Sequence, residues 1–253
     1  MAKTLLLSDA DVMKCITWKE ALELTEEVLI EQGKGKVEMP PKMMLKLREY
    51  GLDSYSNVMP TYIPDKEIMG VKWGGGFGFN VKVRNGLPFV MQTLILNDPH
   101  TGIAKSIMHA SYICSVKTAC ETVVSAKYLA PKNRRLNIMV IGLGVQGQAN
   151  LNAWIEAEKL GYFDINQFFL IDINQDNLNS AQELVKKNSD IAVKTDTEAK
   201  MLAPEADVIV TLTHIDKENL VMYDWLKKGV YIVTLGSFPE VDPNIHLKAD
   251  KLV

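Results

Sequence analysis

The pattern of apolar and polar positions changes once along this chain, near Pro131. Beyond it, short unbroken apolar runs alternate with segments whose apolar residues return every three or four positions. "LNIMVIG" (136–142), "FFLID" (168–172), "ADVIVTLT" (206–213) and "VYIVTLG" (230–236) read as strands. A stretch from Val145 to Leu160, "QDNLNSAQELVKK" (175–187) and the short "YDWLKK" (223–228) read as helices between them. Strands that are apolar throughout need cover on both faces, and intervening helices supply it, so this half predicts a parallel sheet.

Before Pro131 the pattern is mixed. Residues 8–36 read as a helical opening, capped by Ser8 and stopped by Gly33 and Gly35. "KMMLKL", "YSNVMPTYI", "IMGVKWGG" and "FVMQTLILND" then alternate as strands do, and residues 111–130 form a long helical pattern. The predicted fold class is α/β. An α+β domain over residues 1–130 precedes a Rossmann-type, doubly wound parallel sheet over 131–253.

Composition narrows the function. The 253 residues are 47% hydrophobic and 23% charged, with a net charge of −3. Without a basic stripe to neutralise phosphates, nucleic acid is not the expected partner. No apolar run is long enough for a membrane helix, and the opening "LLL" is too short for a signal peptide. Cys15, Cys114 and Cys120 have no metal-ligand spacing and read as reduced thiols, which points to the cytoplasm. Four scattered histidines make no metal site, so none is expected.

"VIGLGVQGQAN" places Gly142, Gly144 and Gly147 where a strand gives way to a helix. In that context G-x-G-x-x-G is a dinucleotide turn. The first glycine permits the turn, the second admits a pyrophosphate, and the third lets helix and strand pack closely. Val145 and Gln146 fall in the helix's first turn, whose free N–H groups favour anions. Asp172 ends the next strand, thirty residues after Gly142, where a carboxylate accepts from ribose hydroxyls and repels a 2′-phosphate. This favours NAD, with NADP left open. Thr211 and Thr213 lie at a later strand end on the same side.

In "IMGVKWGGGFGFN" Lys72 precedes the glycines, the reverse of a phosphate-binding loop. A lysine there needs another explanation. "EMPPK" (38–42), residues 69–80, "NGLPFV" (85–90), "LNDPHTGIAKSIM" (96–108), "SVKTACETVVSAKYLA" (115–130) and the glycine turn resemble, in order and spacing, the ornithine cyclodeaminase and mu-crystallin family. The resemblance runs on to "TLGSFPEVDP" (234–243).

That resemblance implies an NAD- or NADP-dependent enzyme acting at the C–N bond of amino acids or their imines. Lys72 matches the family's catalytic lysine, placed to take and return a proton. Lys42 and Lys117 match carboxylate-gripping arginines, and Thr118 a threonine near the cofactor phosphates. The resemblance also implies that residues 1–130 form the substrate-binding and dimerisation domain, and hence a homodimer. Three positions depart from the pattern. Lysines replace both arginines and lose the two-pronged grip. Cys114 stands where threonine is usual. Ser237 stands where the cyclodeaminases carry an aspartate, which lowers the expectation of ornithine cyclisation.

Relatives also continue past "KADKLV", which reads as the start of a further strand. The leading expectation is an amino-acid dehydrogenase or ketimine reductase. The alternatives are an ornithine cyclodeaminase that uses NAD catalytically, and a crystallin-like dinucleotide-binding protein without turnover. Which amino acid or imine is bound stays open.

Overall fold

The computed structural model describes residues 3–50, 54–77, 86–132, 134–213, 219–236 and 239–253. The chain forms two compact units, residues 1–114 and 115–253. The division falls inside the long helix 111–129, earlier than the change of texture at Pro131. Tyr231 OH donates to Ser125 Oγ at 2.8 Å and ties that helix to the second unit.

The first unit contains β1 (Leu5–Leu7), α1 (Asp9–Lys14), α2 (Trp18–Gly33), β2 (Met43–Lys46), β3 (Tyr55–Ile63), β4 (Ile68–Gly76), β5 (Val90–Asn97) and β6 (Ala104–His109). They form one mixed sheet in the order β1-β6-β5-β4-β3-β2, antiparallel except where β1 runs parallel to β6. The helical opening is two helices. Ser8 accepts from Asp11 N–H and the Asp11 carboxylate accepts from Ser8 N–H, a capping box that starts α1. Thr17 accepts from Glu20 N–H and starts α2. Two cap sequences within ten residues divide what hydrophobic periodicity alone joins.

Helix α3 (Ser111–Leu129) crosses into the second unit. There β7 (Leu136–Ile141), α4 (Val145–Lys159), β8 (Ile165–Ile171), α5 (Gln175–Asn188), β9 (Ala192–Asp196), β10 (Val208–Thr211), β11 (Tyr231–Thr234) and α6 (Pro243–Lys248) follow. The sheet is entirely parallel, in the order β11-β10-β7-β8-β9. This is the predicted Rossmann-type order, which reverses at β7.

Met139, Ile141, Phe169, Ile171 and Ile209 point to one face, where Ala203, Val221 and Val241 cover them. Ile138, Val140, Phe168, Leu170, Val208 and Val210 point to the other and are equally buried. Each such side chain contributes about 1.5–3 kcal/mol, which is why these strands carry no polar alternation. Two expectations are corrected. Only Tyr223–Trp225 of "YDWLKK" is helical, as one 3₁₀ turn. "KADKLV" is not a strand: its Lys248 ends α6, which Asp242 caps by accepting from Asn244 N–H, and residues 249–253 form no strand.

Candidate functional site

The turn between β7 and α4 has the geometry its glycines predict. Gly142 has φ +93°, a left-handed conformation that disfavours other residues. A side chain at Gly147 would collide with the Gly142 carbonyl oxygen, so this glycine lets α4 lie against the turn. Among the described residues nothing lies within 4 Å of where a Gly144 side chain would stand. Gly144 is also the N-cap of α4 and provides no side-chain cap. The helix start therefore faces open space with N–H groups unclaimed by a cap, and the side-chain oxygen of exposed Val145's neighbour Gln146 is buried without a partner. A pyrophosphate fits this cradle.

Asp172 is partly committed before any ligand is considered. Its carboxylate accepts from Leu143 N–H at 2.7 Å, Asn174 N–H at 2.8 Å and Asn177 Nδ2 at 3.0 Å. It thereby ties the glycine turn to the start of α5. A carboxylate has about four lone-pair sites, so one remains for a ribose hydroxyl.

Thr211 and Thr213 stand at the same edge of the sheet, but their hydroxyls are turned to a residue that sequence reasoning did not place. Glu240, 1% exposed, accepts from Thr211 Oγ1 at 2.7 Å and from both Thr213 N–H and Thr213 Oγ1 at 2.6 Å. It also accepts from Gly236 N–H at 2.9 Å. The two threonines therefore meet a buried carboxylate with their hydroxyls. No local sequence signal joins them, since Glu240 lies twenty-seven residues beyond Thr213.

In the first unit Lys72 occupies the middle of β4, half-buried, with Met59 of β3 on one side and Leu94 of β5 on the other. It has no ion pair or hydrogen bond among the described residues. Lys42 immediately precedes Met43, which faces Val58. The pairing of β2 with β3 ends there, and the next bridge, Glu38 with Tyr62, is shifted by one residue, so Lys42 stands just outside the paired strand and is exposed.

One row along from Lys72 on the same face, Asn57, Gly74 and Gln92 are neighbours. The side-chain oxygens of Asn57 and Gln92 are buried without partners. Sequence reasoning missed both, because single amides in strands carry no motif. The glycines behind Lys72 serve close packing: a side chain at Gly75 would strike the Tyr55 carbonyl, and one at Gly76 the rings of Phe89 and Tyr55.

Lys117, in the second unit, is 59% exposed and paired with Glu121 at 2.6 Å, one turn along α3. Thr118 is half-buried on the same helix. Ser237 lies outside the described residues.

Over residues 2–253 the sequence matches the Ornithine cyclodeaminase/mu-crystallin family. The chain belongs to that family. It is 32% identical to the nodulation efficiency protein NfeD of Rhizobium meliloti over 86% of its own length and 64% of the relative's. It thus spans less than two thirds of that curated relative.

Among solved structures, Δ1-pyrroline-2-carboxylate reductase of Thermococcus litoralis, in complex with NADH and L-proline, is 29% identical. It superposes with a TM-score of 0.82 over 92% of this chain and 69% of that one. An archaeal alanine dehydrogenase dimer with bound NAD is 28% identical, with a TM-score of 0.78 over 90% and 66%.

Among the described residues, no helix is long and apolar enough to cross a membrane.

Proposed function

We propose that this member of the family is a nicotinamide-dependent oxidoreductase acting at the α-carbon of an amino acid or its imine. The observation that carries the chemistry is Lys72: an unpaired amine in the middle of a sheet, between Met59 and Leu94. Such a lysine is free to act on a substrate nitrogen, whereas a structural lysine would be expected to pair or extend into water. The cradle above Gly144 supports a dinucleotide, and the charge of Asp172 favours NAD over NADP. The bound cofactor supplies hydride acceptance and return.

Lys72 takes the proton of the substrate amino group as the imine forms, and returns it in the reverse direction. Lys42, just before β2, holds the substrate carboxylate, which fixes the α-carbon and lowers the entropic part of the barrier. The family pattern assigns Lys117, which pairs with Glu121 along its own helix, a second hold on the carboxylate, and Thr118 a role near the cofactor phosphates. The unspent amides of Asn57 and Gln92 offer uncharged polar contacts beside Lys72. We further place the protein in the cytosol, since three cysteines outside any disulfide suit a reducing compartment. We also propose that it forms a homodimer.

The test incubates the purified protein with NAD and L-alanine, with NAD and L-ornithine, and with NADH and a cyclic imino acid. NADH appearing with a keto acid, or consumed with the imine, is the expected result. Proline and ammonia from ornithine without lasting NADH would replace it with the cyclodeaminase cycle. Lys72→Ala should abolish turnover, by about 10²-fold or more, while leaving NAD binding intact. Normal cofactor binding without product from any of these substrates would support a binding protein instead.

A further inference from the structure

Glu240 sits in a place the fold keeps open for it. A side chain at Gly236 would collide with its carboxyl group, so glycine there lets the carboxylate reach the ends of β10 and β11 together. Its backbone is fixed from the other side. The Glu240 carbonyl accepts from Leu220 N–H at 2.8 Å, and the next residue, Val241, bridges Val221. Among the described residues, the four groups that hydrogen-bond to the side chain all donate to it, two of them backbone N–H groups that can do nothing else. An ionised carboxylate accepts from all four at once. No cation pairs with it among the described residues.

Neutral side chains tie strand ends together without the cost of burying a charge. A charge kept here therefore calls for a use beyond fastening. The topology indicates one. The sheet reverses order at β7, and Asp172 marks the adenosine-ribose side, over β8. The other half of a dinucleotide lying across that reversal extends toward the ends of β10 and β11. Glu240 also reaches the nucleotide turn through its donor Thr213. A side chain at Gly142 would meet Thr213 Cγ2 at 3.0 Å and the Leu212 carbonyl at 2.9 Å, so that segment packs directly on the first glycine.

We propose that Glu240 is an electrostatic positioning residue of the cofactor site, whose fixed negative charge favours the oxidised, cationic nicotinamide over the reduced, neutral one. The proposal rests on the dinucleotide reading above. A carboxylate held by preorganised donors in a water-poor site keeps its field, because nothing needs to reorient when the ring changes charge. The same residue fixes the strand-end segments on which the ring would rest, so it sets both place and potential.

The experiment titrates NAD⁺ and NADH separately into the full chain and reads the ratio of the two dissociation constants, with thermal melting alongside. Glu240→Gln removes the charge and should lower the preference for NAD⁺ by about three- to tenfold. Equal weakening of both forms would reduce Glu240 to a strand clamp and overturn the proposal. Gln presents an amide donor to a backbone N–H, so this variant's folding needs a check.

The double variant Thr211→Val, Thr213→Val provides an independent arm. It strips two donors from the same carboxylate without removing its charge, and should raise the preference for NAD⁺. An unchanged ratio there overturns the proposal even if Glu240→Gln does not fold. Wild-type protein that binds neither form would remove the dinucleotide reading itself and this proposal with it.

Discussion

Gly144 and Gly147 stand three residues apart and face different surroundings. An added methyl at Gly144 enters open space, so Gly144→Ala should leave the melting temperature unchanged. It occupies the approach of the pyrophosphate, however, and should weaken dinucleotide binding by about tenfold or more, about 1.4 kcal/mol. At Gly147 the methyl meets the Gly142 carbonyl, so Gly147→Ala should cost about 1–3 kcal/mol of stability and binding as well. Calorimetric melting and NAD titration on both variants check the contrast; a Gly144→Ala protein that melts early would remove the open cradle. The glycine spacing was legible in sequence because it is a local demand on one turn. The direction of the Thr211 and Thr213 hydroxyls was not, since it depends on Glu240, which is brought to them across twenty-seven residues or more. The row of Asn57, Gly74 and Gln92 beside Lys72 was hidden for the same reason: it is a matter of strand register, to which no single segment testifies.

Among the elements, the β5–β6 connection shows how a loop is held by one side chain. Asp98 accepts from Thr101 N–H and Oγ1 and from His100 N–H, with Lys105 at 3.3 Å. The Thr101 bonds above all hold its carboxyl down to about 2, below the ordinary 3.8. The sign follows from linkage. A carboxyl depressed on folding contributes stability that is fully present above about 3.8 and lost as pH falls through about 2. Asp98→Asn should therefore melt below wild type at neutral pH, and the gap should close between pH 4 and pH 2. A gap independent of pH would refute the charge-based hold. This connection leads into β6, a strand that sequence reading passed over, as it did β1 and β9. All three are short or carry exposed polar residues, so their alternation is weak, and pairing within the sheet supplies what local pattern lacks. The strands of the second sheet were legible because burial on both faces writes itself as unbroken apolar runs. The split between α1 and α2 was readable too, in Thr17 and Glu20, but two short periodic stretches look like one long one.

At the scale of the molecule, the first-unit sheet ends in two edges, β1 and β2. On β2 the side chains of Met43, Met44 and Leu45 are 61%, 45% and 57% exposed, so both sides of the strand present apolar surface beside an unpaired backbone edge. Natural edges are usually blunted by charge, proline or cover, and an apolar one invites another strand or sheet. A second copy of the chain is the occupant the homodimer proposal calls for, and a net charge of only −3 offers little repulsion between copies. Met44→Lys should shift the mass measured by light scattering from dimer to monomer at micromolar concentration. Its exposed side chain gives it little role in the fold, so the melting temperature of the monomeric unit should change by no more than about 0.5 kcal/mol would imply. Leu6→Lys, on the opposite edge β1, is the matched control and should leave the dimer intact. If Leu6→Lys dissociates the dimer and Met44→Lys does not, the interface belongs to β1. If both remain dimeric, neither edge is the interface, and the apolar side chains of β2 must be covered by something other than a second copy.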